Sequence, residues 1–351
     1  MNIGYLYYTF FPVTGGASVH GYYLARELKK AGHTLYKLNG KKDPYTTKLN
    51  PLTGVFRILL NCDVIYSRVD YFLYRRNFFT ALAILAGKKV VVELNSPSDE
   101  LKLHGKSGVY IRRADKIAAW FLKRACAVIA VSEPIKRYCD EELGLSGVKV
   151  VENGGEVFHH PESKASEHIK KKAEEICGKF PVRVVWSGSV NRMQNISLLK
   201  RVADADPHRA ALFVLANYEE EASRKNPEFL QKENVFGFEN LPRADVEYLI
   251  SKSTAGLAFY EDYSWCRWGF YNSSLKIFEY LNNGLVTLTN TSGTPVQRQY
   301  PNFRRVTIEE DILEIIRDLS SAEPPPRENL RTWRDVGRET AEIIKQISKS
   351  C

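Results

Sequence analysis

Short apolar runs alternate with amphipathic helical patterns along nearly the whole chain, and that alternation excludes most folds. Runs at Ile3–Tyr8, Thr34–Leu38, Val64–Ser67, Val90–Leu94, Ala127–Val131 and Val148–Val151 read as strands. Helical patterns at Ser18–Ala31, Phe78–Ala86, Asp115–Lys123 and Pro134–Leu143 lie between them. Strands that alternate with helices build a parallel sheet covered by helices. A polar stretch, Glu156–Glu175, then intervenes and reads as a domain junction plus a helix. Beyond it the alternation resumes, with strands at Val182–Ser187, Ala211–Ala216, Asn234–Phe238, Ala255–Phe259 and Leu285–Thr289 and helices at Ile196–Ala203, Ala244–Ile250 and Leu275–Asn282. Pro324-Pro325-Pro326 interrupts the chain before a final helical pattern, Arg331–Ile347. The expectation is an α/β protein of two doubly wound domains, 1–160 and 161–330. A length of 351 residues suits two cores better than one.

Composition narrows the function classes. A hydrophobic share of 44% beside 26% charged residues is that of an ordinary globular chain. No apolar run reaches the ~18 residues of a membrane span. The start, Met1-Asn2-Ile3-Gly4-Tyr5-Leu6, lacks the basic head and cleavage site of a signal peptide. Six scattered cysteines with no Cys-x-x-Cys pair argue against a zinc site or a disulfide framework, and for a cytoplasmic location. Cys351 ends the chain and does not match a prenylation signal.

Charge is unevenly spread. Residues 1–155 carry 23 Lys and Arg against 13 Asp and Glu, whereas residues 156–351 carry 27 against 28. Arg75-Arg76, Lys88-Lys89, Arg112-Arg113 and Lys123-Arg124 all fall in the first half, among many aromatic residues. Such a half suits an anionic membrane surface, a lipid phosphate or an acidic polymer. It carries no recognition-helix, zinc-finger or ribonucleoprotein motif, so nucleic acid is not the expected partner.

Several strand exits carry chemistry. In Ser273-Ser274-Leu275-Lys276-Ile277-Phe278-Glu279-Tyr280-Leu281, a short polar loop opens a helix. Leu275, Phe278 and Leu281 share its inward face, while Lys276 and Glu279 project together from another. A carboxylate there can accept two hydrogen bonds from a cis-diol, and the helix start favours a phosphate. Ribose beside diphosphate is the shape of a nucleotide-sugar. Gly15-Gly16 follows the first strand and opens the first helix, where backbone N–H groups can meet a phosphate or a sugar oxygen. Neither Gly-x-Gly-x-x-Gly nor a Walker loop is present. His20 lies beside that loop, and His33 is expected to pack at the helix end. Glu93 and Asn95 point to one side of the strand exit Val92-Glu93-Leu94-Asn95-Ser96-Pro97, and with Glu100 they are candidates for sugar hydroxyls. Trp186-Ser187-Gly188-Ser189 enters a loop whose one base is Arg192. Glu261–Asn272 is an aromatic loop long enough to cover a ligand. Asp204-Ala205-Asp206 has the letters of a metal motif but reads as a helix end before Pro207, so no metal is expected.

The Lys276/Glu279 stretch resembles the donor-site motif of family-4-like glycosyltransferases of the GT-B fold, and Gly15-Gly16-Ala17, Val131-Ser132-Glu133 and Asn153-Gly154-Gly155 resemble other landmarks of that family in the same order. Glu93, Asn95 and Pro97 match its Glu-x-Asn-x-Pro variant. The resemblance implies two Rossmann-like domains facing across a cleft, the first taking the acceptor and the second the donor, with the helix 331–351 crossing back to the first. It implies retaining transfer from a UDP- or GDP-sugar to a glycan or lipid-linked acceptor, with no cofactor. Glu279 would hold ribose, with Arg192 and Lys276 on the diphosphate. Gly15, Gly16, Ser187, Gly188, Asn272, Ser273 and Ser274 would lend donor contacts, with Glu93 and Asn95 near the reacting sugar. Three positions depart from the family: Tyr271 stands where many members have a second glutamate, Ser189 where an arginine is usual and Gln194 where a lysine is usual. An inactive GT-B subunit, an inverting transferase and a sugar-nucleotide epimerase therefore stay open as alternatives.

Overall fold

The computed structural model describes residues 1–6, 13, 15–38, 40–73, 77–217, 228–307, 309–319 and 330–350. Tyr7, Tyr8, Arg75-Arg76, Pro324-Pro325-Pro326 and Cys351 lie outside them.

Two parallel sheets stand one after the other in the chain. The first holds β1 (Asn2–Leu6), β2 (Thr34–Lys37), β3 (Thr46–Lys48), β4 (Val64–Val69), β5 (Val90–Leu94), β6 (Ala127–Ala130) and β7 (Lys149–Val150), in the order β3-β2-β1-β4-β5-β6-β7. The second holds β8 (Val182–Ser189), β9 (Ala210–Asn217), β10 (Val235–Glu239), β11 (Ala255–Ala258), β12 (Val286–Thr289) and β13 (Phe303–Arg305), in the order β10-β9-β8-β11-β12-β13. Each order reverses once, beside β1 and beside β8, and ligands in such sheets bind at those switch points.

Both faces of the first sheet are covered, as the continuous apolar runs require. Successive strand residues part to opposite sides. Ile65, Val90, Val92, Val128 and Ala130 pack beneath α2 (Pro51–Asn61), α3 (Phe78–Leu85), α4 (Gly108–Leu122) and α5 (Glu133–Arg137). Val64, Tyr66, Val91 and Ile129 pack on the other side with α1 (Gly16–Lys30) and the last helix, α11 (Trp333–Ser350). The second sheet is covered by α6 (Glu167–Lys179), α7 (Ser197–Ala205), α8 (Arg243–Ser251), α9 (Leu275–Asn282) and α10 (Glu309–Asp318). The Asp204-Ala205-Asp206 run is indeed a helix end.

The chain passes between the domains twice, side by side. Gly155 forms a parallel bridge with Thr332, and its N–H donates to the Arg331 carbonyl at 3.1 Å. A Cβ on Gly154 would lie 2.6 Å from the Thr332 carbonyl, and one on Gly155 2.5 Å from that of Phe278. Glycine is therefore needed at both for close approach, not for an unusual φ. Arg331 locks the crossing by donating to the Glu152 and Asn153 carbonyls and to both Glu339 carboxylate oxygens.

One expectation is overturned here. The loop Glu261–Asn272 does not hang over the cleft; it straps the second domain to the first. Tyr263, Cys266 and Tyr271 sit in the hydrophobic cluster of α2–α5. Arg267 grips Asp99 through Nη2 at 2.9 Å and Glu142 through Nη1 at 2.6 Å, and Lys102 donates to the Trp265 carbonyl. Five aromatic side chains in a short stretch lower their free energy most by burial, and the first domain supplies the apolar surface.

Candidate active site

A cavity of 350 Å³ opens between the domains at the carboxyl ends of both sheets. The first-domain wall is Gly15, Gly16, Ala17, Arg68, Asn95 and Asn153. Facing it are Ser187, Gly188, Asn272, Ser273, Ser274, Lys276 and Glu279. An apolar recess of Leu215, Phe238, Leu241 and Val246 continues from Glu279. Both switch points, the exits of β1 and β8, feed this space.

Two helix starts meet in it. Gly15 is the N-cap of α1, its carbonyl and N–H both tied to the Ser18 hydroxyl, and Ser274 is the N-cap of α9. Gly16 and Leu275 approach each other across the gap: a Cβ on Gly16 would stand 3.7 Å from Leu275 Cδ1. Each helix start presents unsatisfied N–H groups and partial positive charge to the same volume.

Lys276 and Glu279 sit where the three-residue spacing places them, together on the second-domain wall. Lys276 Nζ donates to Gln194 Oε1 at 2.8 Å and lies 4.6 Å from the Trp186 ring centroid. Burial pulls its ammonium down to about 7, although the Glu279 charge works the other way. Gly188 lies directly beneath: a Cβ there would come within 2.8 Å of Lys276 Nζ. Ser187 is fixed by Tyr280, whose hydroxyl accepts from the Ser187 N–H at 2.8 Å.

Glu279 is buried and paired. Arg243, the first residue of α8, takes both of its oxygens, Nη2 on Oε1 and Nη1 on Oε2 at 3.3 Å. Arg243 also bonds Glu247 at 3.0 Å and faces the rings of Phe158 and Tyr23, the latter from α1. Burial opposes its charge, but Glu279, Tyr23 and Glu247 hold its pKa well above the ordinary range. Sequence reasoning missed Arg243. Nothing in its local pattern marks it, and its partner lies 36 residues away.

Glu93 and Asn95 part company. Asn95 reaches the cavity and accepts from Arg68 Nη2. Glu93 stands behind that wall, 1% exposed, with Arg68 Nε at 2.9 Å and His20 Nε2 at 3.1 Å from Oε1 and the Tyr66 hydroxyl donating to Oε2. Burial alone would raise its pKa, yet His20, Arg68 and Tyr66 hold it down at about 2. Asn153 extends the network. Its Nδ2 donates to the Ser273 carbonyl, which turns Oδ1 to His20 Nδ1 at 2.6 Å, so that nitrogen carries a proton. Asn153 N–H also donates to the Ser273 hydroxyl at 2.9 Å. His20 is thus a structural member of the network, its pKa lowered first by burial and braced edge-on by Trp333 at 5.2 Å.

Two more expected residues lie elsewhere. Arg192, expected on the diphosphate, is exposed and outside the cavity. Its Nη1 donates to the Leu103 carbonyl of the first domain at 3.2 Å, because the loop after β8 turns the side chain outward. Glu100 also lies off the cavity wall and accepts from the Tyr271 hydroxyl at 2.9 Å. Asn272 and Ser274 line the cavity, Asn272 donating to the Tyr263 hydroxyl at 2.8 Å and Ser274 sharing a hydrogen bond with Tyr260. Among the described residues no cluster of His, Cys, Asp and Glu could hold a metal ion.

Residues 14–156 match the profile of Glycosyltransferase Family 4. No curated protein matches the chain in sequence. Solved structures similar in fold include HepE of Anabaena in complex with UDP and glucose, with TM-score 0.67 and 13% identity over 98% of this chain and 99% of that one. A glycosyltransferase from Rickettsia africae gives TM-score 0.62 and 15% identity over 100% and 99%. AviGT4, a glycosyltransferase involved in avilamycin A biosynthesis, gives 0.62 and 11% over 100% and 99%. The profile match gives the first domain the sequence pattern of Glycosyltransferase Family 4, and the two Rossmann-like sheets facing across a cleft give the whole chain the GT-B glycosyltransferase fold.

Proposed function

We propose that the cavity binds a UDP-sugar and transfers its sugar, with retention, to a glycan or lipid-linked acceptor used in glycan or glycoconjugate synthesis. The observation that carries the reading is the placement of Lys276 and Glu279 on one wall, between two helix starts and opposite Arg68 and Asn95. The base would occupy the apolar recess of Leu215, Phe238, Leu241 and Val246. The ribose hydroxyls would donate hydrogen bonds to Glu279, partly displacing Arg243. The diphosphate would lie against Gly16, Gly188 and Lys276, and the sugar would reach Asn95 and Arg68. As the glycosyl–phosphate bond breaks, negative charge grows on the diphosphate. A dry site with Lys276 and two sets of backbone N–H groups stabilises that charge without reorganising. No step in this reading needs a metal. The acceptor would enter from the basic first domain, at the cytoplasmic face of a membrane.

UDP-glucose bound to HepE supports the donor class. Thermal shifts with UDP-, GDP-, ADP- and CMP-sugars, repeated with Glu279→Ala, test it. A ligand in excess over its Kd raises Tm, so UDP-sugars should give the largest shift and the variant should lose most of it. Equal responses to all four, or none, sink the reading. One observation favours a second reading, an inactive GT-B subunit: Arg192, the one base in the loop 187–195, faces away from the cavity. Release of UDP by the purified protein excludes that. The anomeric configuration of the product then separates retention from inversion, and turnover without acceptor would indicate an epimerase.

A further inference from the structure

Every large apolar side chain recorded as exposed among the described residues falls on three neighbouring helices of the first domain. Phe56 and Leu60 are on α2, Phe78, Phe79 and Leu85 on α3, and Val109, Tyr110, Ile117 and Trp120 on α4. Leu60 is 75% exposed and Phe56 68%. The three helices lie on one side of the sheet, because α2 leads into β4, α3 joins β4 to β5 and α4 joins β5 to β6, three parallel crossovers of one hand. Their inner residues, Ile58, Ile84, Ala118 and Phe121, fill a single cluster. The apolar residues therefore share an outer face.

The charged side chains exposed on these three helices have one sign. Neither α2 nor α3 contains an acidic residue, and the one acid of α4, Asp115, is buried and bonded to Tyr138. Arg112, Arg113 and Lys116 are exposed on α4, Lys123 and Arg124 just beyond it. Tyr110, Arg113, Ile117, Trp120 and Arg124 succeed one another at three- and four-residue steps, so they form one stripe. Arg124 lies 3.9 Å from the Trp120 ring centroid, its cation stacked on the indole. Aromatic and aliphatic groups interleaved with cations, with no exposed acid on the three helices themselves, fit the boundary between anionic headgroups and acyl chains. Each helix runs antiparallel to its strands, which puts Phe78, Phe79, Val109 and Tyr110 at the end of the domain where the cavity opens.

We infer that the outer face of α2, α3 and α4 docks on an anionic lipid surface, seating the cavity mouth against the membrane. This deepens the acceptor side of the proposed function and rests on it only for the identity of what enters the cavity. Docking itself needs no donor.

The test uses the full chain without nucleotide. Co-sedimentation is measured with vesicles of phosphatidylcholine alone and with about one-third phosphatidylglycerol. Binding is expected to the mixed vesicles only, with a blue shift of tryptophan emission that Trp120→Ser abolishes. Ile117→Ser with Trp120→Ser, and separately Arg113→Glu with Lys116→Glu and Arg124→Glu, should each weaken binding at least about tenfold. All these side chains are exposed, and unchanged Tm shows that each variant folds. Equal binding to both vesicle types, or none to either, overturns the inference. So does a dimer in sedimentation velocity that Ile117→Ser with Trp120→Ser dissolves, since the face would then bind a second copy. UDP-sugar thermal shifts of the same variants separate this result from failure of the donor site.

Discussion

The two walls of the cavity hold charge in opposite ways. On the first-domain side, Glu93, His20, Arg68, Tyr66, Asn95 and Asn153 crowd together in one buried polar network, and only the outer members meet the cavity. On the second-domain side, Lys276 has one neutral hydrogen-bond partner, and the Glu279–Arg243 pair borders the open space. The first arrangement fixes geometry, whereas the second leaves charge available to a ligand. A buried network must be complete to be stable, and a binding site must not be.

The largest expected effect comes from breaking the closed side. Glu93→Ala leaves Arg68 and His20 without their carboxylate and should cost about 3–5 kcal/mol of stability, read from denaturant midpoints. An unchanged midpoint would mean that the first wall is no scaffold. On the open side, Lys276→Met should leave Tm nearly unmoved and lower kcat about 10²–10³-fold, measured in steady-state transfer assays. If both parameters of this variant collapse together with Tm, the contrast between the walls disappears.

Glu279→Ala should weaken UDP-sugar binding by about tenfold to a hundredfold through KM, since two hydrogen bonds to a charged acceptor are lost. Arg243→Ala sharpens the point. It frees Glu279 for ribose, so any loss of affinity in this variant belongs to Arg243 itself. Isothermal titration with UDP would read both.

Acidity offers a smaller handle. Burial depresses Lys276 to about 7 in the free protein, and a bound diphosphate favours its charged form. Binding should therefore take up protons near neutrality. Affinity for UDP should be flat below pH 7 and fall as pH rises above it, up to the raised pKa of the complex. Lys276→Met should abolish the slope. The smallest effect is expected at Arg192→Ala, within about threefold in kcat/KM, because the side chain lies outside the cavity.

The central strands along the chain and the α9 bounds, Leu275–Asn282, could be read from the sequence because apolar runs and helical spacing are strong local signals, whereas the strand order within each sheet was not predicted. Edge elements could not be read either. Thr46–Lys48 is short, polar and half exposed, and Phe303–Arg305 exposes two arginines, so neither carries an apolar run. The helix Pro51–Asn61 was missed because Phe56 and Leu60 spoil its inside–outside pattern, the same departure that marks the exposed face. Lys276, Glu279, Gly15 and Gly16 were legible from spacing and position. Arg68 sits inside a strand of apolar neighbours, and Arg243 follows Pro242 in a polar turn. Both owe their place to partners far away in sequence, which no local pattern encodes.

The aromatic strap has a kinetic consequence. With Arg267 tied to Asp99 and Glu142 across the gap, the lobes cannot swing apart without loosening an ionic latch. Nucleotide departure would then be paced by that latch and hastened by salt, so turnover at saturating donor should rise with modest ionic strength.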